Sequence, residues 1–392
     1  MAGRAEVAAA AARLLSWLDE RSWRGHDPFD LLLSPMAAPL RRFRWPSVAW
    51  TQLGKRSPVD LRPLLRVPPQ ENPKALALGV EGCLATTRHG DPAARDAAAR
   101  RASELLGRLL RAEVPGGGWG YPFPWANRHF YAPAGTASGV VTSFVTRALS
   151  AALDAAERPG GGFLLPAGMP RAQVEGAVVR GAAFVAERLR RVPTPEGPLF
   201  SYTPVDARGV HNASVLAAAA LSRGSALPGG DPAWAETART VAASTLRAQR
   251  ADGSWPYGVS LRDGFVDGYH TGYVLTALSE LDARVGLEGA PAAVERGLAY
   301  WRRAFLVGPA VGPRPGRPYP VELHAVAQAI LTLLEAGDGD EALRLAGWTL
   351  EHARRPDGAF VHTWTPGRVN AIPYLRWVQA WMFRALATVA AT

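Results

Sequence analysis

Two alternating helix types, joined by turns of similar composition, recur along this chain and restrict its fold more than any other feature. The unit is a polar-faced helix, a Gly/Pro turn holding an aromatic residue, a loop, and a more apolar helix. The clearest copy runs from Thr240 to Asp282. A helix ends at Gln249, Asp252-Gly253-Ser254-Trp255-Pro256-Tyr257 forms the turn, and Asp267-Gly268-Tyr269-His270 opens an apolar helix. Parallel turns surround Trp119, Phe200, Tyr319 and Phe360. A repeat of this length marks an architecture in which each unit buries its apolar face against the next.

The leading helices are expected at 96–113, 171–191, 234–249, 291–305 and 341–355. The following helices start near Thr136, Val210, Asp267, Glu322 and Pro373. A first pair, 4–20 and 72–89, completes six hairpins. Leading helices are charged on one face, whereas following helices such as Ala325–Leu334 are apolar all round and must be buried. These patterns predict an all-α fold, an (α/α)6 barrel or toroid occupying residues 1–392 as a single domain. No alternating strand pattern appears, and the Pro-rich stretch at about 27–70 is expected to be an irregular insertion folded over a rim. Every aromatic turn leads into an inner helix, so all inner-helix N-termini lie at one end of the ring. Their free N–H groups and positive dipole ends favour an anionic group there.

Hydrophobic residues make up 48% of the chain and charged residues 20%, the balance of a soluble protein. No apolar run is long enough to cross a bilayer, and the start lacks the pattern of a signal peptide, which predicts a cytoplasmic protein. The formal charge is +10, yet Lys55 and Lys74 are the only lysines. The arginines are scattered and form only short clusters such as Arg41, Arg42 and Arg44, so nucleic acid is not an expected partner. Anionic small molecules and glycans remain compatible with this charge. Cys83 is the sole cysteine, which excludes an internal disulfide and a Cys-based zinc site. No His-Glu-x-x-His spacing, phosphate loop, dinucleotide fingerprint or serine nucleophile elbow occurs, and no metal or cofactor is expected.

Polar and aromatic residues gather in the loops at the predicted rim. Five of the eight histidines fall there: His129, His211, His270, His324 and His362. The candidate catalytic residues are Asp206, His211, Asp267, Tyr269, His270 and Glu322. Carboxyl groups enclosed by Trp and Tyr would have raised pKa values suited to acid catalysis, with the histidines as proton-transfer partners. The candidate substrate-binding residues are Trp119, Trp125, Arg128, His129, Tyr202, Asn212, His324, Tyr374, Arg376 and Trp377. Arg128 and Arg376 would clamp a carboxylate or phosphate, and Trp125 and Trp377 would offer flat faces to sugar rings. Several of these residues also have structural readings. Asp267 and Asn72 are well placed to cap helices, and Trp119, Trp255 and Phe360 to wedge neighbouring hairpins.

The segment Gln249-Arg-Ala-Asp-Gly253-Ser-Trp255 resembles the Gln–Trp repeat of the prenyltransferase/squalene-cyclase-like toroids, the terpenoid cyclase superfamily. The Asp-x-Asp-Asp acid motif of those cyclases is absent. The segments from Trp119 through Trp125 to Thr136, and from Tyr269 to Tyr273, resemble (α/α)6 proteins of polysaccharide biosynthesis and the toroidal domain of glucuronyl C5-epimerases. That resemblance implies a carbohydrate-active enzyme of glycan biosynthesis, using general acid/base chemistry on an anionic or carrier-linked sugar. Epimerase, lyase and glycosidase chemistry all remain open. One alternative is a terpenoid cyclase-like enzyme with an isoprenoid substrate in a dry cavity; another is a non-catalytic glycan-binding or scaffold protein.

Overall fold

The computed structural model describes residues 3–89, 91–160 and 162–392. Six inner helices form a closed ring: α3 (Pro73–Thr86), α5 (Gly139–Glu157), α7 (His211–Ser225), α9 (Gly268–Val285), α11 (Leu323–Glu335) and α13 (Ala380–Ala390). Each packs against the next, and α13 returns to α3. Six outer helices back them: α1 (Arg4–Glu20), α4 (Pro92–Arg111), α6 (Arg171–Arg188), α8 (Ala233–Arg247), α10 (Ala290–Phe305) and α12 (Gly339–His352). The (α/α)6 toroid expected from the repeat is the fold of the chain.

Helix composition follows this layering. The inner helix α7 is buried from His211 to Gly224, because it meets outer helices on one side and the ring interior on the other. The outer helix α4 buries only the stripe Ala98, Ala102, Leu105, Leu106 and Leu109. The turns from α4 to α5 and from α8 to α9 share one construction. The indole N–H of Trp119 donates to the Leu109 carbonyl at 2.8 Å, and that of Trp255 to the Thr245 carbonyl at 2.9 Å. Each tryptophan thus ties off the outer helix it follows. The glycine two residues before it, Gly117 or Gly253, has a positive φ of 87° or 92°. A Cβ on Gly253 would lie 2.5 Å from the Arg296 carbonyl oxygen of the next outer helix, so this close approach requires glycine.

The insertion departs from the irregular expectation. Beside short 3₁₀ turns it contains α2 (Arg44–Arg56). Pro46 lies in the first turn of this helix, where the missing N–H has no intrahelical partner to lose, so its presence does not preclude a helix. The insertion is anchored to the ring by buried Arg62. Its guanidinium donates to Asp30 Oδ1 at 2.7 Å, to the Asp27 carbonyl at 2.6 Å and to the Tyr374 hydroxyl at 3.2 Å. Short strands also occur, the largest set pairing Val321–Glu322, Thr363–Thr365 and Arg368–Asn370. They are only two or three residues long, too short to show alternation in sequence.

A layer of charge crosses the ring beneath the rim, about 12–18 Å along α3, α5, α7 and α9 from their N-termini by helical rise. Arg147 of α5 and Arg384 of α13 both reach Glu81 of α3, at 2.9 and 3.2 Å. Arg223 of α7 pairs with Glu280 of α9 at 2.5 Å. Above this layer, Phe144, Tyr273 and Trp381 pack together and form an aromatic floor.

Candidate active site

A cavity of about 510 Å³ lies over this floor, at the rim where the inner helices begin. Every inner-helix start contributes to it: Lys74 from α3, Val140 from α5, Asn212 from α7, Tyr269, His270 and Tyr273 from α9, and His324 from α11. Arg376 and Trp377 come from the π-turn Leu375–Gln379 that leads into α13. The rim loops add Tyr121, Trp125, Arg128, His129, Tyr202, Arg208, Tyr257 and Asp263, and α2 adds Val48, Gln52, Lys55 and Arg56.

His270 is held by Asp267. The Asp267 side chain accepts the His270 backbone N–H at 2.9 Å through Oδ1, capping α9, and meets His270 Nδ1 at 2.7 Å through Oδ2. A carboxylate acceptor at Nδ1 places the imidazole proton there and leaves Nε2 as the basic nitrogen. The ring packs between Tyr269 and Tyr257, with centroids 4.1 and 4.6 Å away.

A second linked group lies on the floor. Lys74 Nζ donates to the Tyr273 hydroxyl at 3.4 Å, and that oxygen is 2.6 Å from His324 Nε2. The hydroxyl accepts from Lys74 and shares a short hydrogen bond with His324 Nε2. The other ring nitrogen, Nδ1, is buried with no hydrogen-bond partner among the described residues. Burial, followed by the charges of Lys74 and Arg376, holds the His324 pKa well below the usual histidine value, so the ring is neutral. Burial first, then Arg376 and Arg147, likewise pulls Lys74 well below the ordinary lysine range. The Phe144 ring, with its centroid 3.8 Å from Nζ, favours the charged form and opposes that shift. Burial drives Tyr202, Tyr269 and Tyr273 well above the normal phenol value, which makes them donors rather than bases near neutral pH.

The lining is strongly cationic. It holds Lys55, Arg56, Lys74, Arg128, Arg208 and Arg376 against one carboxylate, Asp263. Asp263 accepts from Arg208 at 2.8 Å and from Ser260 at 2.6 Å. Burial alone would raise its pKa, but these bonds and the Arg208 charge hold it below the carboxylate range. Arg376 is committed too: its Nε and Nη2 bind the two oxygens of Asp27 at 2.6 and 2.8 Å. The two-pronged clamp expected of Arg376 is therefore closed on the protein itself. Among the described residues, no carboxylate pairs with Lys55, Arg56, Lys74 or Arg128.

Ten of the residues singled out from sequence line this cavity: Trp125, Arg128, His129, Tyr202, Asn212, Tyr269, His270, His324, Arg376 and Trp377. Asp267 lies just behind His270. The rest are turned to other tasks. Asp206 accepts from the backbone N–H groups of Tyr202, Thr203 and Arg208 and from the Thr203 hydroxyl, which occupies its carboxylate in a turn. His211 is buried with Nδ1 3.3 Å from the Thr245 hydroxyl. Trp119 is the fully buried wedge described above, and Tyr374 is fully buried with its hydroxyl bound by Arg62. Glu322 accepts from Trp377 Nε1 at 2.6 Å and lies 3.6 Å from His362 Nε2. Burial would raise its pKa, but His362 and Trp377 outweigh that and lower it, contrary to the raised carboxyl expected at this rim.

Sequence reasoning gave Lys74 no role, and it missed Tyr121, Arg208, Tyr257, Asp263 and Tyr273. Tyr273 had a signal, since it lies one helical turn after Tyr269 on the same face of α9. The α2 residues had none, because the insertion was read as irregular.

Fold and cavity together define the class: an (α/α)6 toroid with a cationic, aromatic site at the inner-helix N-termini. No family model matches the chain, and no curated protein matches its sequence. Solved structures share its fold. A protein from Actinoplanes is 18% identical, the match covering 98% of this chain and 100% of that one at a TM-score of 0.51. Cellobiose 2-epimerase from Spirochaeta thermophila DSM 6192 is 12% identical, with 82% and 88% covered at 0.56. An unsaturated glucuronyl hydrolase specific for heparin is 14% identical, with 83% and 88% covered at 0.54.

Proposed function

We propose that this chain is a carbohydrate-active enzyme that isomerises or epimerises an anionic sugar by moving a proton at a ring or chain carbon. The observation that carries this reading is the Asp267–His270 pair, whose basic Nε2 belongs to a ring lining a cationic aromatic cavity. The toroid hosts both an epimerase and a glycoside-cleaving hydrolase among the solved structures named above, so the fold leaves the reaction open. The carboxylates favour proton transfer. Hydrolysis by paired carboxyl groups needs two of them facing the substrate. Among the described residues Asp263 is the one carboxylate that lines the cavity, and it is bound by Arg208 and Ser260.

In this reading His270 takes the proton from carbon adjacent to a carbonyl or carboxylate. Asp267 fixes the reactive tautomer and stabilises the imidazolium that forms. Tyr269 supplies a donor to the oxygen on which charge develops. Arg56 and Arg128, which pair with no carboxylate among the described residues, suit a carboxylate or phosphate on the substrate, as in a glycan precursor. The same six cations oppose the hydrocarbon substrate of a terpenoid cyclase, which needs a dry and weakly polar wall.

The test is deuterium exchange. A uronic acid or sugar phosphate incubated with the enzyme in heavy water is expected to take up deuterium at one carbon, read by NMR, and neutral aldoses are expected not to. His270→Gln should slow uptake by roughly 10²–10⁴-fold. Cleaved glycoside without exchange, or full exchange in the His270→Gln and Asp267→Asn variants, would overturn the reading.

A further inference from the structure

We propose that the exposed face of the insertion docks on an anionic lipid surface, so that the cavity mouth meets a lipid-linked sugar at the bilayer. From Leu31 to Val59 the chain contains no Asp or Glu but carries Arg41, Arg42, Arg44, Lys55 and Arg56. Large apolar side chains in the same stretch face solvent: Met36 is 62% exposed, Phe43 61%, Trp45 64% and Leu53 49%. Trp45, Ala49 and Leu53 fall at i, i+4 and i+8 of α2 and form one outward stripe. Ser47, Thr51 and Gly54 form the opposite, buried side. The Arg44 guanidinium lies over the Trp45 ring at 5.1 Å.

Exposed Trp, Phe and Leu beside Arg, without a compensating acid, is the chemistry of a helix that rests in the headgroup region of a membrane. Each basic side chain near an anionic leaflet adds about a fivefold gain in partitioning. No helix among the described residues is long and apolar enough to cross a membrane, so the contact would be peripheral. A second copy is a poor occupant, since a two-fold contact through this face would bring the same cations together. The position is functional as well. Val48, Gln52, Lys55 and Arg56 of the same helix line the cavity, so a docked α2 would set the cavity mouth against the headgroups. The inference rests on the sugar reading only for what the lipid carries.

The experiment is co-sedimentation of the full chain with phosphatidylglycerol/phosphatidylcholine vesicles and with pure phosphatidylcholine vesicles, at low and high salt. Binding is expected only to the anionic vesicles, and salt should weaken it. Phe43→Ser with Trp45→Ser should lower partitioning roughly tenfold or more, and Arg42→Glu with Arg44→Glu should remove the anionic preference. All four positions are exposed, and an unchanged thermal midpoint would verify that each variant folds. Absence of wild-type binding to anionic vesicles, or undiminished binding by both variants, would overturn the proposal. So would a wild-type dimer that dissociates in the Phe43→Ser, Trp45→Ser variant, which would put a second copy on this face. Because binding is read without turnover, a chain that binds vesicles yet alters no sugar would overturn only the proposed reaction.

Discussion

His211 and His270 are both histidines within the first turn of an inner helix, yet their surroundings give them opposite roles. Burial lowers the His211 pKa to about 4, whereas His270 lines the cavity with Asp267 at its back. The unfolded chain protonates His211 near about pH 6.5 and the folded chain does not. Its contribution to stability is therefore intact above that value and is lost as the pH falls from there toward 4. Between about pH 7 and about pH 5 this one group should remove about 2 kcal/mol. His324, also held neutral by burial, adds a loss of the same sign. Urea unfolding of His211→Asn at the two pH values should show a correspondingly flatter pH dependence. A dependence equal to that of the wild type would show that His211 is not held neutral in the fold.

The turn connecting α8 to α9 is a unit in which each residue type answers a geometric demand. Gln249 Nε2 donates to the Gly253 carbonyl at 3.1 Å and to the Ala293 carbonyl of α10 at 2.8 Å, so it joins one hairpin to the next. Gly253 turns the chain at positive φ against α10, and Trp255 fills the space beside Gly297. Gly253→Ala must accept a left-handed backbone and a Cβ 2.5 Å from the Arg296 carbonyl oxygen. We expect it to destabilise the chain by roughly 1–3 kcal/mol, measured as a lower urea midpoint at unchanged slope. Gly229→Ala is the control: its φ is also positive, but a Cβ there meets nothing. This turn was legible because its aromatic, its glycine and its Gln are local in sequence. Helix α2 was not, because its buried face of Ser47, Thr51 and Gly54 carries no apolar stripe to announce it.

Across the whole molecule, the two ends of the ring do different work. The N-terminal rim holds the cavity, and the charge layer beneath it ties neighbouring inner helices together. Glu81 stands between Arg147 and Arg384, with side chains only 10–19% exposed. Glu81→Gln would remove the carboxylate that both cations contact directly, leaving Glu335 as the remaining acid that acts on both. The expected cost is about 2–4 kcal/mol, read by chemical denaturation. Glu81→Gln combined with Arg147→Met should recover part of it, because the repulsion is then removed. Recovery would show that the layer acts through its pairing rather than through packing of the Glu81 stem.

The twelve helices of the ring, the order of outer and inner helices and the rim that gathers the polar loops were readable from sequence, whereas α2 was not. They follow from periodicity and turn chemistry, and both act over a few residues. Which way a rim side chain points was not readable. Asp206 turned back into its own loop, Arg376 paired with Asp27 some 349 positions away, and Lys74 met Tyr273 across the floor at a separation of 199. Such pairings depend on distances that exist only once the ring has closed, so the tertiary structure alone decided which of the clustered groups remain open to a substrate.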